Sequence, residues 1–402
     1  MGTMRPSPST AARRLRELDV LRGIAVLLVV GHHCPLPAPE VAAPLRVLGQ
    51  AWYDCGWTGV ELFFVLSGFL VSGLLFTEFQ RHRSVRVGRF LVRRGFKICP
   101  PFYVMLLATM CYLHATGVAL WPLRGYLGDE VVFLQNFLGG LLPHTWTVAI
   151  EAQFYLLLAA LVALLARLGR ATADPFRPLM YLVPLAGAAA LGLRTLAALR
   201  HPLGVAASTI PFPLHYRVDT LLWGVLLSYW YHWREHGWLG ALRRHLGLAI
   251  PGAVLLLAPA WVWPVSRSKP LLTVGLTSIA LGFALLLALV LPLGGDPRRP
   301  SSRWVGALVR VGADSYSIYL WHLPVFFWVV APLDAAGLFT FASPTLAYAV
   351  RFATFSTSGV AVGVVMARLV ERPSLALRER LFPSRSGGLA RPGDGSGEAA
   401  GS

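Results

Sequence analysis

Arg22 and His33 stand eleven residues apart in an otherwise apolar run, LDVLRGIAVLLVVGHH. On an α-helix eleven residues complete about three turns, so both side chains share one face, roughly 16 Å apart along the axis. An imidazole in such a span is suited to take a proton or to carry a transferred group. His32 points about 80° away from that face and is the weaker candidate. Two acids occur in comparable settings, Glu61 in GWTGVELFFVLSGFL and Glu151 in HTWTVAIEAQFYLLL. A carboxylate beside an imidazole can hold its tautomer and stabilise the imidazolium. The alternative is a polar network that ties helices together. His33, Glu151 and Glu61 form the candidate catalytic set.

The cations come next. The stretch RHRSVRVGRFLVRRGFKICPPFY (81–103) holds seven Arg or Lys. Within it Arg94 and Lys97 are three apart, on one face of a helix expected to begin at Pro100 and Pro101. Arg binds phosphate bidentately and Lys binds it as a point charge. The stretch therefore reads either as a phosphate cradle or as the basic flank that anchors a span. His322 lies mid-helix in SYSIYLWHLPV among aromatic residues, which favours a cavity lining. Arg217 and Asp219 open a helix in HYRVDTLLWG, where they can pair with each other or contact a substrate. Arg351 is a further intramembrane cation, and Asp314 lies near the end of a span.

The elements that must position these groups are membrane helices. The chain has 402 residues, 55% hydrophobic and only 14% charged, too little polar surface for a water-soluble domain of this length. Its apolar runs of about 18–22 residues match the hydrocarbon thickness and lack the alternation of a membrane barrel. The runs are 20–36, 56–78, 99–119, 145–166, 179–199, 215–233, 247–265, 271–293, 312–331 and 345–369. The expected architecture is all-α, a polytopic membrane helix bundle of about ten transmembrane helices with cytoplasmic N- and C-termini. With that threading, 28 Lys and Arg fall on the cytoplasmic side and 6, Arg194 among them, on the other. The net charge of +17 is explained by this bias, because the cations bracket spans and form no soluble basic domain, so no nucleic acid partner is expected.

The run from Val20 to Pro35 lacks a small-residue cleavage site and reads as the first span. The segment VVFLQNFLGGLLPH (131–144) is apolar but short and broken by Gly, so it reads as a re-entrant or interfacial piece roofing a cavity. The expected organisation is a cytoplasmic segment at 1–18, the transmembrane domain at 19–382 and a disordered, Gly/Ser-rich cytoplasmic tail at 383–402. The four cysteines form no CxxC pair, and no metal site is expected. Cys34 and Cys55 fall at the outer ends of the first two spans, either bridged or as free thiols.

Taken in order, the motifs resemble those of the acyltransferase-3 family along nearly the whole chain. The first helix resembles the family's opening helix with its Arg-x10-His pair, here Arg22 and His33. GVELFFVLSGFL resembles the second-helix signature, and Arg94-Gly-Phe-Lys97 an Arg-x-x-Arg segment that precedes Pro. WTVAIEAQFYLL is similar to a motif that places its acid at Glu151, and YSIYLWHLPV and ERP (371–373) match the closing motifs. Two departures stand out: Lys97 occupies the second motif Arg, losing bidentate geometry, and Glu61 replaces a commoner Asp.

The resemblance implies a membrane O-acyltransferase. It would move an acyl group, acetyl or another short chain, from cytoplasmic acyl-CoA to a hydroxyl of a sugar, a polysaccharide or a secondary metabolite such as a macrolide. Acyl-CoA is a co-substrate, and no bound cofactor is expected. His33 would be the central catalytic residue, and Arg22, Arg93, Arg94 and Lys97 would serve the donor. Ser67, Trp146, Tyr155, His322, Arg217 and Asp219 would line the substrate cavity. Some relatives carry an appended hydrolase-like domain that this sequence lacks, so the membrane part is expected to complete the transfer alone. The bacterial plasma membrane is the expected location. A rival reading is a transporter exporting a small anion or an acylated conjugate, which would also need polar groups at mid-depth.

Overall fold

The computed structural model describes residues 16–234, 237–263, 268–291 and 302–384, and these residues form helices, turns and loops with no strand. Residues 1–15 and 385–402, most of the two expected terminal segments, lie outside the described residues. Helix α1 (Arg16–His32) is followed by α2 (Ala43–Gly56), α3 (Thr58–His82) and α4 (Val87–Ala115). Short helices α5 (Arg124–Val131) and α6 (Gln135–Leu138) precede α7 (Trp146–Leu168), α8 (Leu179–Arg200), α9 (Leu203–Thr209) and α10 (Leu214–Trp233). Next come α11 (Gly237–Arg244), α12 (Leu246–Leu257), α13 (Pro259–Val262), and α14 (Leu276–Val290), which a π-helical turn at Leu271–Gly275 introduces. The chain closes with α15 (Arg303–Ala313), α16 (Ser315–Val325), α17 (Ala331–Ala335), α18 (Pro344–Met366) and α19 (Arg372–Leu381).

Each of the ten expected spans carries helix. Among the described residues, seven helices are long and apolar enough to cross a membrane, or eight if the pair bent by 88° at Arg244–Leu246 is one span. The other two are α1, with 17 residues, and α10, whose Arg217 and Asp219 lower its mean hydropathy. The protein is thus a multi-pass membrane protein. Helix α3 is the central post, buried on nearly every face and packed against α1, α7, α10 and α14. It meets α10 through glycine. A Cβ on Gly68 would stand 1.9 Å from the Leu221 carbonyl oxygen, and one on Gly224 2.1 Å from that of Val65. Small residues at such a crossing let backbones touch where lipid supplies no hydrophobic drive for helix association.

Three elements differ from the expectation. Helix α4 begins at Val87, twelve residues before the anticipated start, so Arg93, Arg94 and Lys97 ride on a helix with Pro100 and Pro101 inside it. Pro100 cannot donate to the Phe96 carbonyl. Ser374 Oγ on α19 donates to it instead, at 2.6 Å. Helices α2 and α15 occupy stretches expected to be loop; both are amphipathic and lie against α1, a placement that a span-length window cannot detect. Segment 131–144 contributes no lining residue to either of the two cavities described below. It is stitched onto α7 by Gln153, which donates to Phe133 O at 2.7 Å and to Asn136 Oδ1 at 2.8 Å, and so fixes His144 at the mouth of α7.

Candidate functional site

Two cavities lie on opposite sides of a wall of rings. The first, about 240 Å³, opens toward the Arg-rich end, where α4 and α19 meet, and penetrates between α3, α7 and α16. Arg22, Arg94, Lys97 and Arg378 give it a cationic mouth, and its depth is lined by Ser67, Glu151, Tyr155, Thr147 and Tyr319. The second, about 600 Å³, lies at the other end and is lined by His33, Cys34, Tyr53, Phe326, Asp334 and Arg351, with apolar neighbours.

In the first cavity, Tyr155, one turn beyond Glu151 on α7, donates its hydroxyl to Glu151 Oε2 at 3.0 Å. Ser67 Oγ lies 2.7 Å from the Tyr155 oxygen. That phenol proton is already committed, so Ser67 is the donor. Arg94 lies over the Tyr155 ring, 5.7 Å from its centroid. Lys97 is paired with Glu371, whose other oxygen accepts from Ser317 at 2.6 Å. Arg22 faces the cavity with Asp19 at 3.9 Å. Arg93 does not face it, because its guanidinium turns to the Phe382 carbonyl and to Glu379 at 3.0 Å, clamping α19 onto α4.

The wall consists of Tyr319, His144, His322 and His33. Tyr319 donates to the His144 carbonyl at 2.8 Å, and Thr147 donates to the Tyr319 oxygen at 2.7 Å. Ring centroids run from Tyr319 to His144 at 5.4 Å, from His144 to His322 at 5.2 Å and from His322 to His33 at 5.0 Å. Carbonyls fix the tautomers, since a carbonyl only accepts. His322 Nδ1 donates to Tyr319 O at 2.6 Å, so its Nε2 carries the lone pair. His33 Nδ1 donates to Val29 O at 2.9 Å and is shared with His322 Nε2 at 3.2 Å. The lone pair of His33 is therefore on Nε2, which has no hydrogen-bond partner among the described residues, on a residue that lines the second cavity.

The structure thus separates the three expected catalytic residues. Glu151 belongs to the first cavity and His33 to the second, with the ring wall between them. Glu61 is in neither. It is fully buried, paired with Arg217, and accepts from Thr220 at 3.2 Å. Arg217 and Asp219 do not pair with each other. Asp219 takes both terminal nitrogens of Arg194, at 2.9 and 2.7 Å, and Thr277 joins it at 3.2 Å. Arg194, counted from the sequence on the outer side of the membrane, is fully buried inside the bundle. Trp146 packs edge-to-face on Phe64 and Phe212 and lines neither cavity. Cys34 and Cys55 are free thiols; Cys34 Sγ sits 3.5 Å from Ser356 Oγ.

The sequence reading missed His144, Tyr319, Thr147, Arg378 and Glu371. His144 opens the stretch HTWTVAIEAQFYLLL and Thr147 lies within it, Tyr319 lies in YSIYLWHLPV and Glu371 opens ERP. Arg378 lies five residues beyond ERP, outside every quoted motif, and only packing reveals that the five converge.

The chain matches the family described as "Acyltransferase domain" over residues 15–368. It is similar to the peptidoglycan O-acetyltransferase OatA of Listeria monocytogenes, 26% identical over 332 residues, covering 77% of this chain and 49% of that protein. It is also similar to the O-acetyltransferase OatA of Staphylococcus aureus, 25% identical over 345 residues, 79% of this chain and 51% of that one. The chain spans about half the length of these relatives. No solved structure matches it at a significant level. The relatives are named for acetyl transfer, and the transporter reading draws no support from them.

Proposed function

The chain belongs to the acyltransferase-3 family, and from that premise we propose that it transfers an acyl group from acyl-CoA, donated at the Arg-rich end, to a hydroxyl presented in the cavity beside His33. The observation that carries this reading is the pair of cavities divided by the histidine wall. The mouth of the first brings together four cations, Arg22, Arg94, Lys97 and Arg378, which suits the phosphates of CoA. Its volume, about 240 Å³, suits the thin pantetheine arm and a short acyl chain, with the nucleotide left outside. By the excess of Lys and Arg, the Arg-rich end is the cytoplasmic one, in a bacterial plasma membrane.

The chemistry follows from the lone pair. His33 Nε2 takes the acceptor's O–H proton, the oxygen attacks the thioester carbon, and CoA leaves as the thiolate and is then protonated. Alternatively Nε2 attacks the thioester first and passes the acyl group to the hydroxyl. In both routes His322 orients His33 by accepting from its Nδ1, the part expected from the sequence of a neighbouring carboxylate. Glu151 instead presents, with Tyr155 and Ser67, a polar ledge inside the donor cavity. Donor and His33 meet when the ring wall parts. Pro324 and the π-helical turn Phe326–Val330 directly follow His322 and supply the irregular bonding that lets a helix flex there.

The acceptor class is a sugar, a polysaccharide or a secondary metabolite such as a macrolide. The peptidoglycan named for one relative makes a cell-wall sugar the first to try. The test uses purified protein in detergent with acetyl-CoA, measuring CoA release and acetylated product with and without an acceptor. Transfer that needs His33 supports the reading. Full transfer by His33→Ala, or no turnover of acetyl-CoA under any condition, ends it.

A further inference from the structure

The second cavity holds one ion pair that the transfer chemistry does not use. Asp334, at the end of α17, and Arg351, two turns into α18, both line it and meet at 2.7 Å. Neither is sealed: the side chains are 40% and 29% exposed. Their pairing differs from the buried pairs elsewhere in the bundle because their free valences face a cavity. Asp334 Oδ1 accepts from Arg351, which leaves Oδ2 with no hydrogen bond among the described residues. Two aromatic rings, Tyr53 and Phe326, also line it, and small or apolar residues, Cys34 among them, supply the remainder. His33, with its unpartnered Nε2, completes the lining.

We propose that Asp334 and Arg351 select the acceptor, admitting an uncharged, hydroxyl-rich ring and excluding one that carries a carboxylate. This rests on the reading of the protein as an acyltransferase whose acceptor hydroxyl meets His33. A polyol offers donors to the free Asp334 oxygen and acceptors to the guanidinium, while its C–H faces lie on Tyr53 and Phe326. The volume of about 600 Å³ accommodates one or two sugar rings. An anionic acceptor meets a guanidinium already neutralised and a carboxylate that repels it, and like-charge contact is how binding sites reject wrong partners. Arg351 alone would attract an anion; Asp334 is what turns the pair into a filter.

The test compares two acceptors that differ in one group, methyl glucoside and methyl glucuronide, by the ratio of their kcat/KM values with acetyl-CoA. A ratio is independent of how much of each preparation is folded. The wild-type protein is expected to favour the glucoside by about tenfold or more, the size of one unfavourable charge contact. Asp334→Asn, which leaves Arg351 unneutralised, should lower the ratio toward one or invert it. Arg351→Gln should raise it further. A wild type that prefers the glucuronide, or an Asp334→Asn ratio equal to wild type, overturns the proposal. Turnover of acetyl-CoA with neither sugar acetylated also overturns it, leaving the acyltransferase reading standing. Absence of acetyl-CoA turnover altogether is the failure of that earlier reading.

Discussion

Two buried polar regions of this bundle look alike from the sequence and behave oppositely in space. In one, Glu61, Arg217, Arg194 and Asp219 tie α3, α8, α10 and α14 together, each charge facing its counter-charge with at most 2% exposure. In the other, Glu151, His144, His322 and His33 bracket a wall between two cavities and have no acid–base pair among them. Among the described residues, His144 Nδ1 is buried without a partner, and the hydrogen bonds of the His33 ring are both at Nδ1, leaving Nε2 with none. The comparison teaches that burial of charge marks a cost, while an unsatisfied lone pair beside a cavity marks a use. Matched charges in a low-dielectric interior fix helix register, and removing one partner strands the other.

The largest expected effect would break this comparison if it failed. His33→Ala should lower acyl transfer by roughly 10²–10⁴-fold, the span of a lost acid–base group, with the thermal unfolding midpoint in detergent unchanged. Arg194→Ala should do the reverse, destabilising the protein by about 3–5 kcal/mol because Asp219 is left buried and unpaired. The double variant Arg194→Met with Asp219→Leu should recover most of that loss in the same unfolding assay. A stable Arg194→Ala protein would mean that the matched block is not structural.

A smaller effect sharpens the contrast within the first cavity. Arg94→Ala should raise the KM for acetyl-CoA by about tenfold, the worth of one charge-assisted phosphate contact, and more so at low salt. Lys97→Gln should cost less at the donor, because Glu371 already holds the Lys97 ammonium. Equal effects of the two would contradict the assignment.

The smallest prediction concerns Glu130, outside the spans on α5. Burial pushes its carboxyl up to about 7, although Leu141 N–H, Leu142 N–H and Thr145 Oγ–H donate to it. A folded-state value above the unfolded one means that stability is full at low pH and is lost as pH rises through about 7. Hydrogen exchange in 124–145, the segment that delivers His144, should therefore quicken from about pH 4.5 to about pH 7 relative to Glu130→Gln, which holds the neutral form, and change no further above that. Parallel pH curves for the two proteins would remove Glu130 as the latch.

What the sequence determined by itself was everything that repeats or accumulates along the chain. Apolar run length gave the bundle and all ten helical stretches, because the hydrocarbon core imposes one length on every span. The Arg22–His33 spacing put the pair along the first helical run, where α1 carries Arg22 and ends at His32, one residue before His33, and the basic stretch put Arg94 and Lys97 on one face of α4. Pairing across helices was decided only by tertiary structure. Glu61 and Glu151 both lie in the first two turns of their helices, α3 and α7, yet one turns to Arg217 and the other to a cavity. The partner of His33 came from α16, 289 residues away, and not from an acid. Helix rotation about its own axis sets which face meets which neighbour. Glycine contacts such as Gly68 against Leu221 fix that rotation, and they are pairwise facts that no single segment carries.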